Sequence, residues 1–136
     1  MLSRRSIALA VLAPVALAAC NESPQPAANT SQPTIKVRSN EQNQLHKLDA
    51  MNLAIGLKRA IYDAGYFCKR VSDAGFVGEY KNFDVWMARC TDGKVSRDWA
   101  VFAGPDGSAQ VRDCKDLPQL SLPECVIRTR PKGKFS

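Results

Sequence analysis

Tight turns separate the strand-like segments between residues 67 and 114, and this spacing limits the possible folds more than any other feature of the chain. Phe67–Val71, extendable toward Val77, is the first segment, and Phe83–Thr91, Arg97–Ala103 and Ser108–Cys114 follow. Asp92-Gly93 and Gly104-Pro105-Asp106-Gly107 are the clearest turn signals, because Gly supplies positive φ and Asp bonds its own backbone. Parallel neighbours need a crossover of about a dozen residues or more, whereas tight turns join these segments in series. The segments therefore form an antiparallel meander of three to four strands. Alternation places Trp86, Ala88 and Cys90 on one face and Val85, Met87 and Arg89 on the other.

Ahead of the meander the apolar period changes to that of a helix. Leu45, Leu48, Met51 and Ile55 form one row, and Leu53, Leu57, Ala60, Ile61 and Ala64 form a second stripe. Ser39 and Gln42 have capping-box spacing, and Gly65 stands where a left-handed residue ends a helix, with Tyr66 placed for the accompanying contact. The helix starts at Ser39, or else near Asp49 after a looser turn over 40–48. Gly56 costs its middle about 1 kcal/mol against alanine unless another element packs closely there. The expected architecture is α+β: one N-terminal helix on a small meander, within a single domain over 40–127. Leu117-Pro118 and Leu122-Pro123 hold an irregular segment against the core.

Residues 1–19 divide like a secretory signal. Arg4 and Arg5 give a positive start, Ile7 to Ala16 is apolar, and Ala18-Ala19 precedes a cysteine. The apolar run is about half of the ~20 residues that a spanning helix needs. Leu17-Ala18-Ala19-Cys20 resembles the lipobox of bacterial lipoproteins, which implies cleavage before Cys20 and attachment of diacylglyceryl and N-acyl groups to it. Cleavage by ordinary signal peptidase near Ala19 is the rival reading. Asn21, rather than Asp, points to the periplasmic face of the outer membrane, and Ser3-Arg4-Arg5-Ser6-Ile7 partly resembles a twin-arginine signal. Residues 20–39, rich in Pro, Gln, Asn and Ser, form a flexible tether.

With Cys20 set aside, the even set Cys68, Cys90, Cys114 and Cys125 reads as two disulfides in an exported small domain. A hairpin centred on Glu79 places Cys68 opposite Cys90. Cys90 and Cys114 would flank the third strand about 10 Å apart, beyond the ~7 Å that a disulfide spans between Cα atoms. The expected pairs are Cys68–Cys90 and Cys114–Cys125.

The formal charge of +6 drops to +4 once Arg4 and Arg5 leave with the signal. Much of the remainder lies in Arg128, Arg130, Lys132 and Lys134, expected to form a basic disordered tail over 128–136. An exported, anchored chain meets lipid headgroups, lipopolysaccharide phosphates or peptidoglycan carboxylates rather than nucleic acid.

Catalytic patterns are not found. His46 is the single histidine, and a satisfied or solvent-facing role suits it better than catalysis. The cysteine gaps do not suit zinc, and there is neither a Cys-x-x-Cys pair nor a haem motif. Asp84, Asp92, Asp98, Asp106 and Asp113 fall at strand ends and turns, where turn chemistry and solvation explain them. Trp86 and Trp99 read as core, with an exposed aromatic platform as the alternative. No catalytic residue, metal or cofactor is expected.

The run Ala60-Ile61-Tyr62-Asp63-Ala64-Gly65-Tyr66-Phe67-Cys68, then Trp86 to Cys90, Asp92-Gly93, Trp99-Ala100-Val101 and Val111 to Cys114, resembles uncharacterised small exported alphaproteobacterial lipoproteins. That resemblance implies no activity. The element order is also similar to helix-plus-meander modules that bind or inhibit envelope proteins, and fold alone does not assign function. The expected function is a lipid-anchored, non-catalytic interaction or structural module, meeting an envelope protein or peptidoglycan through a sheet face or an edge strand. The alternative is an inhibitor of a periplasmic hydrolase acting through the Glu79–Asn82 or Gly104–Gly107 loop. A small-ligand carrier is disfavoured by the size of the core.

Overall fold

The computed structural model describes residues 38–135; the expected signal, Cys20 and the tether up to residue 37 lie outside that range. Two helices, α1 (Asn40–Lys47) and α2 (Ala50–Asp63), precede four strands: β1 (Arg70–Tyr80), β2 (Phe83–Thr91), β3 (Ser96–Ala103) and β4 (Ala109–Asp113). The strands form one antiparallel sheet in sequence order. The expected single helix is therefore two.

The break follows from local capping. Leu48 is extended, and the Asp49 carboxylate accepts the Asn52 N–H at 2.8 Å, starting a new helix. Ser39 and Gln42 form the expected capping box. At the other end Gly65 has φ +86°, Tyr66 N–H bonds to Ile61 O and Gly65 N–H to Tyr62 O, which is a Schellman closure. The first apolar row divides, with Leu45 and Leu48 packed against the core and the rest of it turned outward. Leu53, Leu57 and Ile61 are buried, whereas Met51 and Ile55 are 56% and 62% exposed.

Both sheet faces are covered. α2 packs on the face carrying Val71, Trp86, Ala88, Trp99 and Val101. On the opposite face Val85, Met87, Ala100 and Phe102 meet Leu117, with Leu122 and Ile127 packed at its side. That second cover is the irregular segment after β4, which two short 3-10 turns lead into.

The disulfides are Cys68–Cys90, with Cα atoms 5.3 Å apart, and Cys114–Cys125, at 5.8 Å. Both pairs are the expected ones, but the hairpin is not centred on Glu79. Tyr80 faces Phe83, so the turn is Lys81-Asn82, and Val71 rather than Cys68 stands opposite Cys90. Gly78, at φ +156°, lies at one of two register shifts instead of in the turn. Cys68 lies before β1 and ties the helix–strand connection to β2 across the α2 face.

Residues 128–135 are not the loose tail expected from their composition. Phe76 N–H bonds to Thr129 O at 2.8 Å, and both Arg128 N–H and Thr129 N–H bond to Phe76 O, covering the outer edge of β1 at its middle. Arg130 forks onto Asp73, Ala50 N–H donates to Lys132 O at 2.8 Å, and Phe135 packs against the α2-side core. The partners that fix this segment lie far away in sequence, so its own composition does not show them.

Candidate functional site

The residue that departs most from its sequence reading is Asp84. Expected to be solvated at a strand end, its side chain is 2% exposed. Its carboxylate accepts from Arg38 Nε at 3.2 Å and contacts His46 Nε2 at 2.8 Å. Arg38 also pairs with Glu79. α1 brings these groups together, because its capping residue Gln42 is anchored on the sheet. Gln42 Nε2 donates to Asn82 O at 2.9 Å and to Ala103 O at 3.0 Å, while its Oε1 accepts Ser39 N–H. Both amide hydrogens and one of the two oxygen lone pairs are thereby used, so each polar atom of this buried side chain is partnered.

The His46 ring lies 4.6 Å from Phe76 and 4.8 Å from Trp86 between ring centroids, and the Arg38 guanidinium stands over Phe76. Asp84 is the hydrogen-bonding partner of the imidazole among the described residues. A histidine–carboxylate pair becomes catalytic only with a nucleophile or substrate proton within hydrogen-bond reach of the ring, and no such group is bonded to it among the described residues. The arrangement clamps α1, and with it Arg38 just before the helix, onto the β1–β2 hairpin.

Of the remaining carboxylates, Asp92 and Asp106 do what turn chemistry asks. Asp92 accepts Lys94 N–H and Val95 N–H, and these bonds hold its carboxyl below the usual range, that from Val95 contributing most. Asp106 accepts the Ser108 hydroxyl and N–H, and is lowered by them in that order. Asp98 pairs with Arg89 in a two-bond fork and raises the Arg89 pKa, while Asp113 lies 3.7 Å from Arg97. No group of three or more potential metal ligands is assembled among the described residues. Trp86 and Trp99 are each 3% exposed, which makes them core and not a platform. Cys20 lies outside the described residues.

A second feature lies at the opposite edge of the sheet. β1 is covered at Phe76 by residues 128–129, but β4 is an edge strand with no outer neighbour among the described strands. Gly104 N–H bonds to Ser108 O at 2.8 Å. The alternation of an antiparallel ladder then turns the backbone of Ala109, Val111 and Asp113 outward. Arg112 Nη1 caps one outward carbonyl, that of Val111, at 3.0 Å. Beside this edge runs a groove of about 320 Å³, lined among others by Leu45, Gly56, Leu57, Ala60, Val101 and Ala109. A Cβ on Gly56 would meet nothing within 4 Å. No packing contact requires glycine there, and the space beside it stays open.

Sequence reading missed Asp84, Gln42 and the groove. Gln42 was legible only as a cap, and Asp84 had no local signal beyond its place at the start of a strand. Comparison with family models, curated proteins and solved structures finds no match to this chain.

Proposed function

We propose that this chain is a cell-envelope lipoprotein, anchored through Cys20, whose domain is a non-catalytic interaction module that receives an extended segment of an envelope protein. The observation that carries this reading is the open β4 edge beside an apolar groove. Outward N–H and C=O groups offer strand pairing, and the groove offers a pocket for alternate side chains, which is how edge-strand recognition works. Covered sheet faces leave no room for the face-on docking that the sequence also allowed. The lipobox at Leu17–Cys20 and two disulfides suit an oxidising, membrane-proximal location.

The test is in-cell photocrosslinking of the full chain from position 112, with and without Ala109→Pro. Proline at 109 deletes an outward N–H and leaves the bonds to β3 in place. A discrete envelope adduct from 112 that disappears with Ala109→Pro, at unchanged melting temperature, is the expected result. No adduct from β4, together with turnover of a defined substrate by the domain, overturns the reading. A second reading, modulation of a periplasmic hydrolase, is favoured by the turn after Gly104, exposed over 105–108, which its own hydrogen bonds hold rigid. Capture of a hydrolase that Asp106→Ala abolishes and Ala109→Pro spares would select it.

A further inference from the structure

We infer that the outward face of α2, continued over the loop before β1 and the β2–β3 turn, lies against an anionic lipid headgroup layer. The face is unusually apolar for exposed surface. Phe67 is 70% exposed, Val95 67%, Ile55 62%, Met51 56% and Tyr62 44%. These side chains are contiguous. Met51, Ile55, Lys58 and Tyr62 fall within an arc of about 60° at ~100° per residue, turned away from the buried Leu53, Leu57 and Ile61. The Tyr62 and Phe67 rings meet edge-on with centroids 6.0 Å apart, and Phe67 and Val95 line one shallow depression.

Phe67 is held in this exposed position. Cys68 beside it is 1% exposed and bonded to Cys90, so the loop cannot turn Phe67 inward without losing its anchor on β2. An apolar side chain pinned outward by a disulfide is a presented group.

Charge complementarity points to the occupant. Lys58 lies within the apolar row, its ammonium over Tyr62 and donating to Lys69 O at 2.8 Å. Lys69 and Arg97 border the Phe67–Val95 depression, and Lys94 adjoins it in the turn. At the other end of α2, Lys132 and Lys134 are brought in by the bond between Ala50 N–H and Lys132 O. Of the nearby acids, Asp92 holds its own turn and Asp49 caps α2, while Asp63 is exposed beside Tyr62 and is outnumbered by these cations. Apolar side chains rimmed by Lys and Arg match the interfacial depth and negative potential of a headgroup layer, whereas a protein partner gives no reason for cations along the whole ridge. The chain between Cys20 and Arg38, seventeen residues, spans up to about 60 Å, enough to let α2 lie flat on the membrane that holds the anchor. This placement rests on the envelope location proposed above but not on the β4 groove.

The experiment reconstitutes the chain purified from membranes into phosphatidylcholine vesicles, with or without phosphatidylglycerol, and modifies lysines with a water-soluble amine reagent. Lys81, at the far end of β2 and about 30 Å from Lys94 by strand length, is the internal control. Lys58, Lys69 and Lys94 are expected to be protected on phosphatidylglycerol vesicles relative to Lys81, and to lose protection in high salt. Phe67→Ser should weaken the protection about tenfold. Flotation on phosphatidylcholine alone tests only the anchor, so failure there counts against the lipoprotein reading and leaves flotation on phosphatidylglycerol to decide this one. Flotation without protection of the three lysines overturns the inference and leaves the anchor standing. So does protection that appears only when envelope proteins are added, which would make the ridge a protein interface.

Discussion

Gly75→Ala tests whether the C-terminal segment is an integral part of the fold. A Cβ at Gly75 would stand 2.5 Å from Ile127 Cγ2 and 2.6 Å from the backbone oxygen of Thr129. Ile127 can rotate, but Thr129 O is fixed by its bond from Phe76 N–H, so relief requires the 128–129 segment to move off β1. That movement breaks the three backbone bonds between Phe76 and residues 128–129. At ~0.5–1.5 kcal/mol each, with some overpacking strain added, the loss is about 3 kcal/mol. For a domain of this size each kcal/mol moves the melting temperature by about 4–8 °C, giving a drop of roughly 12–24 °C. Thermal melting under non-reducing conditions measures it, and trypsin reports the location, because cleavage after Arg128 and Lys132 should accelerate. Gly56→Ala is the matched control. Its new methyl meets nothing within 4 Å, so helix propensity alone acts and stabilises by up to about 1 kcal/mol. Gly75→Ala melting within roughly 2 °C of the native chain, with unchanged tryptic cleavage, would refute the claim that the segment is packed on β1.

Three further outcomes follow from the same structure. Asp84→Asn keeps the shape but removes the charge assistance on the bonds from Arg38 and His46. Those partners are 34% and 26% exposed and can be resolvated, so the expected loss is about 2 kcal/mol in urea unfolding, and no measurable change would make the cluster a spectator. Replacing Cys114 and Cys125 together by serine opens a loop of sequence separation 11 and should cost about 3 kcal/mol on the chain-entropy account, with dye binding as Leu117 and its cover loosen. Asp106 is held below the ordinary carboxylate pKa, so the stability it contributes is present above the unfolded value near 4 and is lost as pH falls through the lower folded value. The difference in urea midpoint between the native chain and Asp106→Asn should therefore shrink below about pH 4, and a constant difference down to acid would disprove the assignment.

Features fixed by near neighbours were legible in the sequence. Ser39 with Gln42, Gly65 as a helix stop, and the turns at 92–93 and 104–107 each depend on residues within a few positions, and each is present. Alternation along β2 assigned its two faces correctly because one period governs the whole strand. The cysteine pairing was reached from a hairpin centre that is off by about two residues. The pairing is insensitive to that offset, because strand order excludes Cys90–Cys114 and register does not change strand order. The same immunity does not extend to Met51 and Ile55. They share the helical period with core residues, and period alone does not say which of two apolar rows faces the sheet.

What stayed hidden was set by partners far off in sequence. Arg130 and Asp73 are 57 residues apart, and Asp84 lies 46 from Arg38 and 38 from His46. Four basic residues with no acidic neighbour look like a solvated tail only because the neighbours that matter are on β1 and α2. One local clue did exist. Gly75 interrupts a strand between Ala74 and Phe76, and glycine inside a strand weakens it unless a bulge or a close backbone approach demands it. The register shifts fall at 71–73 and 76–78 and leave Gly75 regularly paired with Met87, which rules out the bulge. Close approach remains, and the segment that approaches is the one whose composition argued most strongly for disorder. A missing side chain in β1 was thus better evidence about residues 127–129 than those residues were themselves.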